Sequence, residues 1–272
     1  MSAEEPRAGG RFYHVRAGRG DVAEYVLLAG DPARIPLIAG LWDEGREVSY
    51  HREFRLWSGR VAGKPVSACS TGIGASSAAI AVEELARAGG RTFIRVGSTG
   101  AIQPGIRVGD LVIAQAAVRL EGTSSQYVLE GYPAYADYEV VSALVEAAES
   151  LGFPYHLGVV TSTDSFYPGQ SRPGFRGYRW SYSEKLMRDL QAMGVLSFEM
   201  ESSAIFTLGG IYGLRAGAVC AVFANRVENV FEAKGEMEAA RTAVEAVKIL
   251  QEWDEIKERR GKKHFYPRLL KT

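Results

Sequence analysis

In the segment FYPGQSR, residues 166–172, three side chains have chemistry that suits a flat, polar heterocycle. The ring of Phe166 can lie against a ring face, and the amide of Gln170 can donate and accept hydrogen bonds at an imide edge. Arg172 can hold a carbonyl oxygen on which negative charge accumulates. Uracil offers such an edge and such oxygens. The alternative is an ordinary surface turn with a solvated arginine, because the central Pro-Gly pair is typical of turns.

Two other segments offer groups that bind anions. In AGDPAR, residues 29–34, Gly30 allows backbone N–H groups to approach an anion, and Arg34 supplies a fork of donors. By itself this pattern also fits a plain turn. Arg95 lies near the end of a run that is too apolar to bury a guanidinium without an anionic partner, and a structural carboxylate is one such partner.

Two more turns follow strand-like runs. CSTGIGASS, residues 69–77, is glycine-rich and enters a helix, but it lacks the lysine of a P-loop and the dinucleotide fingerprint spacing, which favours tight packing over an anion nest. In SFEMES, residues 197–202, Glu199 and Glu201 flank Met200 at a strand-to-helix junction, where a carboxylate can bridge two hydroxyls. Solvated or helix-capping glutamates are the alternative.

The elements that must position these groups alternate along the chain. Apolar runs predict strands at 24–29, 65–70, 92–97, 110–115, 156–162 and 216–224. Amphipathic patterns predict helices near 75–88, 138–151, 184–193, 199–213 and 236–257. No Ser/Pro-rich linker divides the 272 residues, so we expect one α/β domain, residues 1–272, with a mixed central β-sheet flanked by helices.

Composition excludes some partners and a membrane span. Lys plus Arg and Asp plus Glu are both 32, so nothing in the overall charge favours nucleic acid or an acidic membrane surface. No apolar stretch reaches the roughly 18 to 20 residues of a membrane span, and the N-terminus lacks the apolar core of a signal peptide, so a cytoplasmic location is expected. Cys69 and Cys220 lie in apolar runs and are expected to be reduced core residues. The basic end, about residues 257–272, is expected to be a solvated or frayed tail.

These segments and several others occur in one order that resembles the uridine phosphorylases of the nucleoside phosphorylase-I family. The resemblance covers about residues 12–250 and rests on the motifs GDPAR, HREF, CSTGIG, VEELARAG, RVGSTGAIQPGIRVGD, DSFYPGQSR, FEMESSA and ANR. Each motif alone is a weak signal, whereas the whole set in one order is specific. The resemblance implies the fold of that family and reversible phosphorolysis of uridine to uracil and ribose 1-phosphate.

The resemblance also implies a role for each matching residue. It assigns phosphate to Gly30, Arg34, Arg95, Ser98 and, from the neighbouring subunit, Arg52; ribose to Met200, Glu201 and the neighbour's His14; and the base to Phe166, Gln170, Arg172 and Arg226. Arg95, Gln170, Arg172 and Glu201 would be the catalytic set. The implied assembly is a homo-oligomer, a hexamer built as a trimer of dimers. No organic cofactor is implied, since inorganic phosphate is a co-substrate. Some members of the family hold a monovalent cation such as K⁺ near the residues that match Glu53, Ile73 and Ser77 at the dimer interface.

The chain departs from the family pattern at a few positions. Ser98 replaces a threonine, Tyr13 stands where phenylalanine is expected, and the stretch PGFRGYRWSYSEK after Arg172 diverges. A purine phosphorylase would need an acid to protonate N7, and relatives of that type carry an Asp after the late strand, where this chain reads Ala224-Asn225-Arg226. The absence of that Asp favours a pyrimidine. The alternatives are a purine nucleoside or methylthioadenosine phosphorylase, a hydrolytic nucleosidase, and a non-enzymatic nucleoside-binding protein of the same fold.

Overall fold

The computed structural model describes residues 3–271, in which strands and helices alternate. The strands are β1 Arg7–Ala8, β2 Arg11–Phe12, β3 Tyr25–Ala29, β4 Glu44–His51, β5 Phe54–Val61, β6 Lys64–Ser70, β7 Thr92–Ala101, β8 Leu111–Leu120, β9 Ala134–Tyr135, β10 Tyr155–Thr163, β11 Ser197–Glu199, β12 Arg215–Asn225 and β13 Val230–Phe231. The α-helices are α1 Arg34–Ala39, α2 Ala75–Ala88, α3 Tyr138–Leu151, α4 Ser183–Ala192, α5 Ser202–Tyr212 and α6 Glu236–Arg260. Short 3₁₀ helices lie at Ser124–Gln126, Pro168–Gln170, Phe175–Gly177 and Pro267–Lys271.

The central sheet closes on itself. Its order is β13-β12-β8-β10-β11-β7-β3-β6-β5-β4, and β12 pairs with β7 as well as with β8, so β12, β8, β10, β11 and β7 form a closed barrel. Strand β7 runs parallel to β12 and β3, whereas β11–β7 and β12–β8 are antiparallel. The prediction of a mixed sheet flanked by helices is therefore confirmed.

Small residues along β12 let a helix pack closely on the barrel. A side-chain carbon at Gly217 would lie 2.3 Å from Val140 Cγ1, so only glycine allows α3 to approach this strand. Helix α3 begins at a strong cap, because the Asp137 carboxylate accepts hydrogen bonds from the N–H groups of Glu139 and Val140 at 2.9 and 3.2 Å. This close approach fixes α3 against the barrel strand β12.

The predicted strands and helices all occur, with two of the helices, α2 and α3, at the predicted bounds. The helix predicted from residue 199 begins at Ser202, because Glu199 completes β11. The β4–β5 hairpin and the short α1 were not predicted. Strand β4, Glu44–His51, is polar and largely exposed, so it has no apolar pattern to reveal it.

The basic end is solvated, as expected, because most of residues 258–270 are exposed, but it is ordered rather than frayed. Helix α6 continues to Arg260, and the chain then folds back so that Phe265 and Leu269 are buried. Phe265 stacks on Trp253 with ring centroids 3.8 Å apart. The apolar members of the segment outweigh its charges, since burying a phenylalanine and a leucine is worth several kcal/mol, about 1.5 to 3 each. Thr272 lies outside the described residues.

Both cysteines are buried and unpaired, as predicted. Between residues 3 and 271, no helix is both long and apolar enough to cross a membrane.

Candidate active site

A cavity of about 480 Å³ lies at the carboxyl ends of the barrel strands and their neighbour β3. Ten of the residues predicted from sequence line it: Gly30, Arg34, Ile73, Arg95, Ser98, Phe166, Gln170, Arg172, Met200 and Glu201. They come from segments spread over 172 positions of the chain, and the ends of parallel strands bring them to one place.

Arg95 lies inside the barrel wall and is paired with two carboxylates. Its Nε lies 2.9 Å from Glu199 Oε2, and its Nη2 lies 2.5 Å from Glu201 Oε2. All three side chains are buried. Burial alone would lower the pKa of Arg95, but the carboxylates of Glu201 and Glu199 outweigh it and raise that pKa, so the guanidinium stays charged. The predicted anionic partner of Arg95 is thus a structural carboxylate pair.

Glu199 ties the end of β11 to the start of α5. Its Oε2 accepts hydrogen bonds from the backbone N–H groups of Glu201 and Ser202, each at 2.9 Å, and its Oε1 accepts one from the Ser162 hydroxyl. A carboxylate at a helix N-terminus also interacts favourably with the helix dipole. Glu199 is therefore a helix-capping residue, which is the alternative that sequence reasoning left open, and it also holds Arg95.

Glu201 projects into the cavity from the position just before α5. Its Oε1 accepts a hydrogen bond of 2.7 Å from Gly74 N–H in the glycine-rich turn. Burial raises the pKa of Glu201; Arg95 opposes this shift, and Glu199 adds to it. Each carboxylate oxygen has a second lone pair, so Glu201 can still accept hydrogen bonds from a ligand.

The glycine-rich turn is required for packing, as predicted. Gly72 has φ of +70°, and a side-chain carbon there would lie 2.8 Å from Glu53 Cγ. Gly74 has φ of +99° and directs its N–H to Glu201. A non-glycine residue would be strained at both positions.

Arg34 lies on the cavity wall at the first turn of α1 and is mostly buried, with 11% of its side chain exposed. Its Nε donates to the carboxylate of Glu236 in the first turn of α6. Its Nη1 makes a long contact of 3.5 Å with the Val96 carbonyl. The terminal edge of the guanidinium therefore remains available to a ligand.

At the other end of the cavity, Phe166, Gln170 and Arg172 form one contact group. The Arg172 guanidinium lies 3.9 Å from the centroid of the Phe166 ring, and its Nη1 donates to the side-chain oxygen of Gln170. Burial, together with the nearby charge of Arg226, lowers the pKa of Arg172 to about 10. The sequence-predicted trio is thus assembled around the 3₁₀ helix Pro168–Gln170.

Arg226 supports this end without lining the cavity itself. Its Nη1 donates to the Gln170 carbonyl at 2.8 Å. A side-chain carbon at Gly100 would lie 3.4 Å from Arg172 Nη2 and 3.8 Å from Arg226 Cγ. Both arginine side chains therefore pack next to Gly100. Arg226 therefore lies next to the residues predicted to bind the base, where it contacts Gln170 and does not face the cavity.

His14 and Arg52 do not line the cavity. His14 Nδ1 lies 2.7 Å from Glu84 Oε1, and the backbone N–H of His14 bonds to the same carboxylate. Arg52 is exposed in the turn between β4 and β5 with φ of +55°, an uncommon conformation for a residue with a side chain. Its guanidinium lies 5.7 Å from the centroid of the Tyr13 ring. We call His14, Tyr13 and Arg52 the edge cluster.

The residues predicted to hold a monovalent cation lie together beside Gly72. Ser77 Oγ lies 3.3 Å from the Ile73 carbonyl, and a carbon at Gly72 would lie 2.8 Å from Glu53 Cγ and 3.4 Å from Ser77 Oγ. Ile73 is 78% exposed although it is apolar. Within residues 3–271 no group of three or more His, Cys, Asp or Glu side chains could hold a metal.

Several cavity residues were missed by sequence reasoning: Asp31, Thr99, Phe198, Phe223, Phe231 and Glu199 as a lining residue. Thr99 is held by its hydroxyl, which donates to the Phe198 carbonyl at 2.7 Å. Phe231 lies in the two-residue strand β13, which has no recognisable pattern. Only the strand-end position of Thr99 and Phe223 could have indicated them.

The sequence profile of the phosphorylase superfamily matches residues 24–251. The chain belongs to the phosphorylase superfamily. This membership confirms the resemblance to the nucleoside phosphorylase-I family that the motifs carry.

The relatives of this chain include phosphorylases named for a pyrimidine nucleoside and one named for a purine nucleoside. A uridine phosphorylase of Thermococcus kodakarensis is 61% identical over 268 residues, which cover 98% of this chain and 97% of that protein. A uridine phosphorylase of Escherichia coli is 44% identical over 243 residues, covering 88% and 95%. A guanosine phosphorylase of Halorubrum lacusprofundi is 40% identical over 214 residues, covering 79% and 83%.

Proposed function

We infer that the protein is an enzyme that catalyses the reversible phosphorolysis of uridine to uracil and ribose 1-phosphate. The observation that carries this proposal is that one cavity is lined by Arg34 and Arg95, by two buried carboxylates, and by the trio Phe166, Gln170 and Arg172. The arginines suit phosphate, a carboxylate suits the two hydroxyls of a sugar, and the trio suits a flat polar base. The uridine phosphorylases at 61% and 44% identity support the same activity.

Phosphate would bind beside Arg34 and Arg95. Gly30, where the backbone can approach closely, and the hydroxyl of Ser98 complete this end of the cavity. Arg95 is already paired with two carboxylates, so it would interact with phosphate through the part of its guanidinium that faces the cavity. Arg34 would offer the terminal nitrogens that Glu236 does not contact. Charge-assisted bonds of this kind are the strong ones for a dianion.

Ribose would lie against Met200 with its hydroxyls on Glu201. The carboxylate is fixed by Gly74 N–H and Arg95 before any ligand arrives, and a preorganised acceptor loses little entropy on binding. The base would stack on Phe166 and face Gln170 and Arg172.

The reaction requires no covalent enzyme intermediate. As the bond between ribose C1′ and uracil N1 breaks, its electron pair leaves with the base, and the positively charged sugar is stabilised by phosphate. A phosphate oxygen then forms the new bond to C1′, and the uracil anion takes a proton from solvent. Arg172 and Gln170 favour departure by stabilising the negative charge on the uracil oxygens.

Asn225 supplies an argument for a pyrimidine over a purine. It is buried, its Nδ2 donates to the Ile106 carbonyl at 2.8 Å, and its Oδ1 accepts from the N–H groups of Val227 and Glu228. An amide committed in this way cannot serve as the acid that purine N7 requires. The guanosine phosphorylase relative at 40% identity keeps purine cleavage as the second candidate.

We further propose that the active enzyme is a homo-oligomer, a hexamer of three dimers. The edge cluster, which contains the predicted His14 and Arg52, is outside the cavity of its own chain, and Ile73 is exposed at the cavity edge. A second copy that covers Ile73 would bring its own edge cluster toward this cavity. Arg52 would then reach phosphate, and His14, whose Nδ1 is held by Glu84, would offer Nε2 to the ribose 5′-hydroxyl.

A monovalent cation such as K⁺ fits the donors beside Gly72. The carboxylate of Glu53, the carbonyl of Ile73 and the hydroxyl of Ser77 are all hard oxygen ligands, which suit such an ion. Its role would be structural, at the contact between two subunits. For the location of the enzyme we propose the cytoplasm, because unpaired Cys69 and Cys220 are usual in a reducing compartment.

The deciding experiment measures base release from uridine, inosine and methylthioadenosine by purified protein, each with and without phosphate. We expect uridine to be cleaved only with phosphate, yielding ribose 1-phosphate. Equal turnover without phosphate would indicate a hydrolase. Faster cleavage of inosine than of uridine would establish the purine alternative, and no turnover of any nucleoside would leave a binding protein.

A further inference from the structure

Glu236 is the partner of Arg34, and the proposed reaction gives it no part. The two residues are 202 positions apart, yet the Arg34 Nε donates to Glu236 Oε1. Arg34 is mostly buried, with 11% of its side chain exposed, while Glu236 is about one-third exposed at 36%. The pair therefore joins a cavity residue to a residue at the protein surface.

The position of Glu236 is fixed by the start of α6. Gly235 precedes the helix with φ of +87°, and a side-chain carbon there would lie 2.7 Å from the Gly109 carbonyl oxygen. The turn at Gly109 is itself held to the barrel, since its N–H donates to the Val222 carbonyl at 2.9 Å. A carboxylate in the first helical turn also interacts favourably with the helix dipole. The Glu236 carboxylate is thus presented to Arg34 by a tightly packed backbone.

The contact determines which edge of Arg34 faces a ligand. A guanidinium has five N–H donors in a fixed plane, and Glu236 occupies the one on Nε. The remaining donors on the terminal nitrogens form the other edge of the fork, and Val96 makes only a long contact with Nη1 at 3.5 Å. A long side chain without this anchor would lose rotamer entropy each time it met phosphate.

We propose that Glu236 is a positioning residue for phosphate, which anchors Arg34 through Nε and turns its terminal edge toward the anion. This inference rests on the proposed function. It predicts an effect on phosphate affinity, with little effect on the chemical step once phosphate is bound.

The test compares Glu236→Ala, Glu236→Gln and the control Glu238→Gln, which removes the same charge from the same helical turn without contact to Arg34. Initial rates are measured over a range of phosphate concentrations at saturating uridine. We expect Glu236→Ala to raise the KM for phosphate about fivefold to tenfold, as for a partly buried charged pair, with kcat within about twofold. Glu236→Gln keeps an acceptor oxygen and should show a smaller rise. The control should match the wild type.

A double-mutant comparison separates positioning from a general effect of charge. In an Arg34→Ala background, Glu236→Ala should produce no further rise in the KM for phosphate, because the residue that it positions is absent. A second readout needs no turnover: phosphate should raise the melting temperature of Glu236→Ala less than that of the wild type.

The outcomes distinguish this inference from the proposed function. An unchanged or lowered KM for phosphate in Glu236→Ala, in an enzyme whose wild type depends on phosphate, would overturn the positioning role alone. A lowered KM would mean that Glu236 competes with phosphate for Arg34. A wild type that cleaves uridine equally well without phosphate would overturn the proposed function and this inference with it.

Discussion

Arg95 Nε lies 2.9 Å from Glu199 Oε2, although 104 residues separate the two along the chain. Glu199 also accepts hydrogen bonds from the first N–H groups at the start of α5, so one carboxylate fixes both an arginine of the cavity and the helix that follows Glu201. The cavity is therefore organised by buried ion pairs before a ligand enters. Such a site needs little rearrangement when phosphate binds.

Replacing Arg95 tests this arrangement. Arg95→Ala should lower kcat/KM for uridine by the equivalent of about 2 to 5 kcal/mol, since it removes a charged donor from a desolvated anion site. It should also lower the free energy of unfolding by about 3 to 5 kcal/mol, because Glu199 and Glu201 lose their buried partner. Rates and urea unfolding measure the two effects. Arg87→Ala, which removes a half-exposed arginine paired with Glu83, is the control. An Arg95→Ala enzyme with ordinary phosphate dependence would remove Arg95 from the site.

The base side is tested by Gln170→Ala and Arg172→Ala. Each deletes a contact that strengthens as the base takes on charge, so kcat should fall together with a rise in the KM for uridine, while the KM for phosphate changes less. Arg188→Ala on the exposed face of α4 serves as a control for lost positive charge. Variants that weaken phosphate binding as much as uridine cleavage would contradict the separation of the two ends of the cavity.

The raised pKa of Glu201 leads to a pH prediction. Burial raises this pKa above 4.5, so the carboxylate takes up a proton at a higher pH than an exposed glutamate, and kcat/KM for uridine should fall there as the pH is lowered. The stability effect has the opposite sign. The folded protein binds this proton more tightly than the unfolded chain, so the contribution of Glu201 to stability decreases as the pH rises from 4.5 through the folded-state pKa.

The measurement for Glu201 is the ratio of wild-type to Glu201→Gln kcat/KM against pH. Phosphate and uridine ionise alike for both enzymes, so the ratio isolates the carboxylate. A ratio that stays constant across the acidic range would show that Glu201 does not need its charge for turnover.

The proposed shared site predicts complementation between two inactive variants. Arg52→Ala and Arg95→Ala subunits, unfolded together and reassembled, should regain activity, because some mixed dimers would contain one site with both arginines. Arg46→Ala, an exposed arginine of β4, should remain active as the control. Full activity in a monomer by sedimentation, or no recovery despite confirmed subunit exchange, would leave Arg52 as a surface residue.

The returning C-terminal segment should contribute to stability without affecting chemistry. Phe265→Ala removes the stack on Trp253 and should lower the free energy of unfolding by about 3 kcal/mol, as for other buried phenylalanines. Neighbouring Tyr266 is 44% exposed, so Tyr266→Ala should cost far less. Thermal unfolding compares them, and kcat at low temperature should be unchanged. Equal effects of the two changes would mean that the segment is not docked in solution.

The sequence alone was enough to assign the family, through the motifs and their order along the chain. The apolar runs and amphipathic patterns were enough to predict a mixed sheet flanked by helices. These features are local, because a strand alternates or is apolar over a few residues and a turn needs its glycine in place. Ten of the predicted site residues line the cavity, because most of them lie in turns that follow strands, and the ends of adjacent strands converge.

Only the tertiary structure decided the partners of the charged residues. Nothing in the sequence near Arg95 or Arg34 identifies Glu199 or Glu236, which lie 104 and 202 positions away. The position of the basic end also depends on a distant part of the chain, since the Phe265 N–H donates to Glu139, 126 positions away, while its ring stacks on Trp253. The sequence does not distinguish an arginine in water from an arginine buried in the barrel wall. Their different energies come from desolvation, which depends on the whole packed molecule.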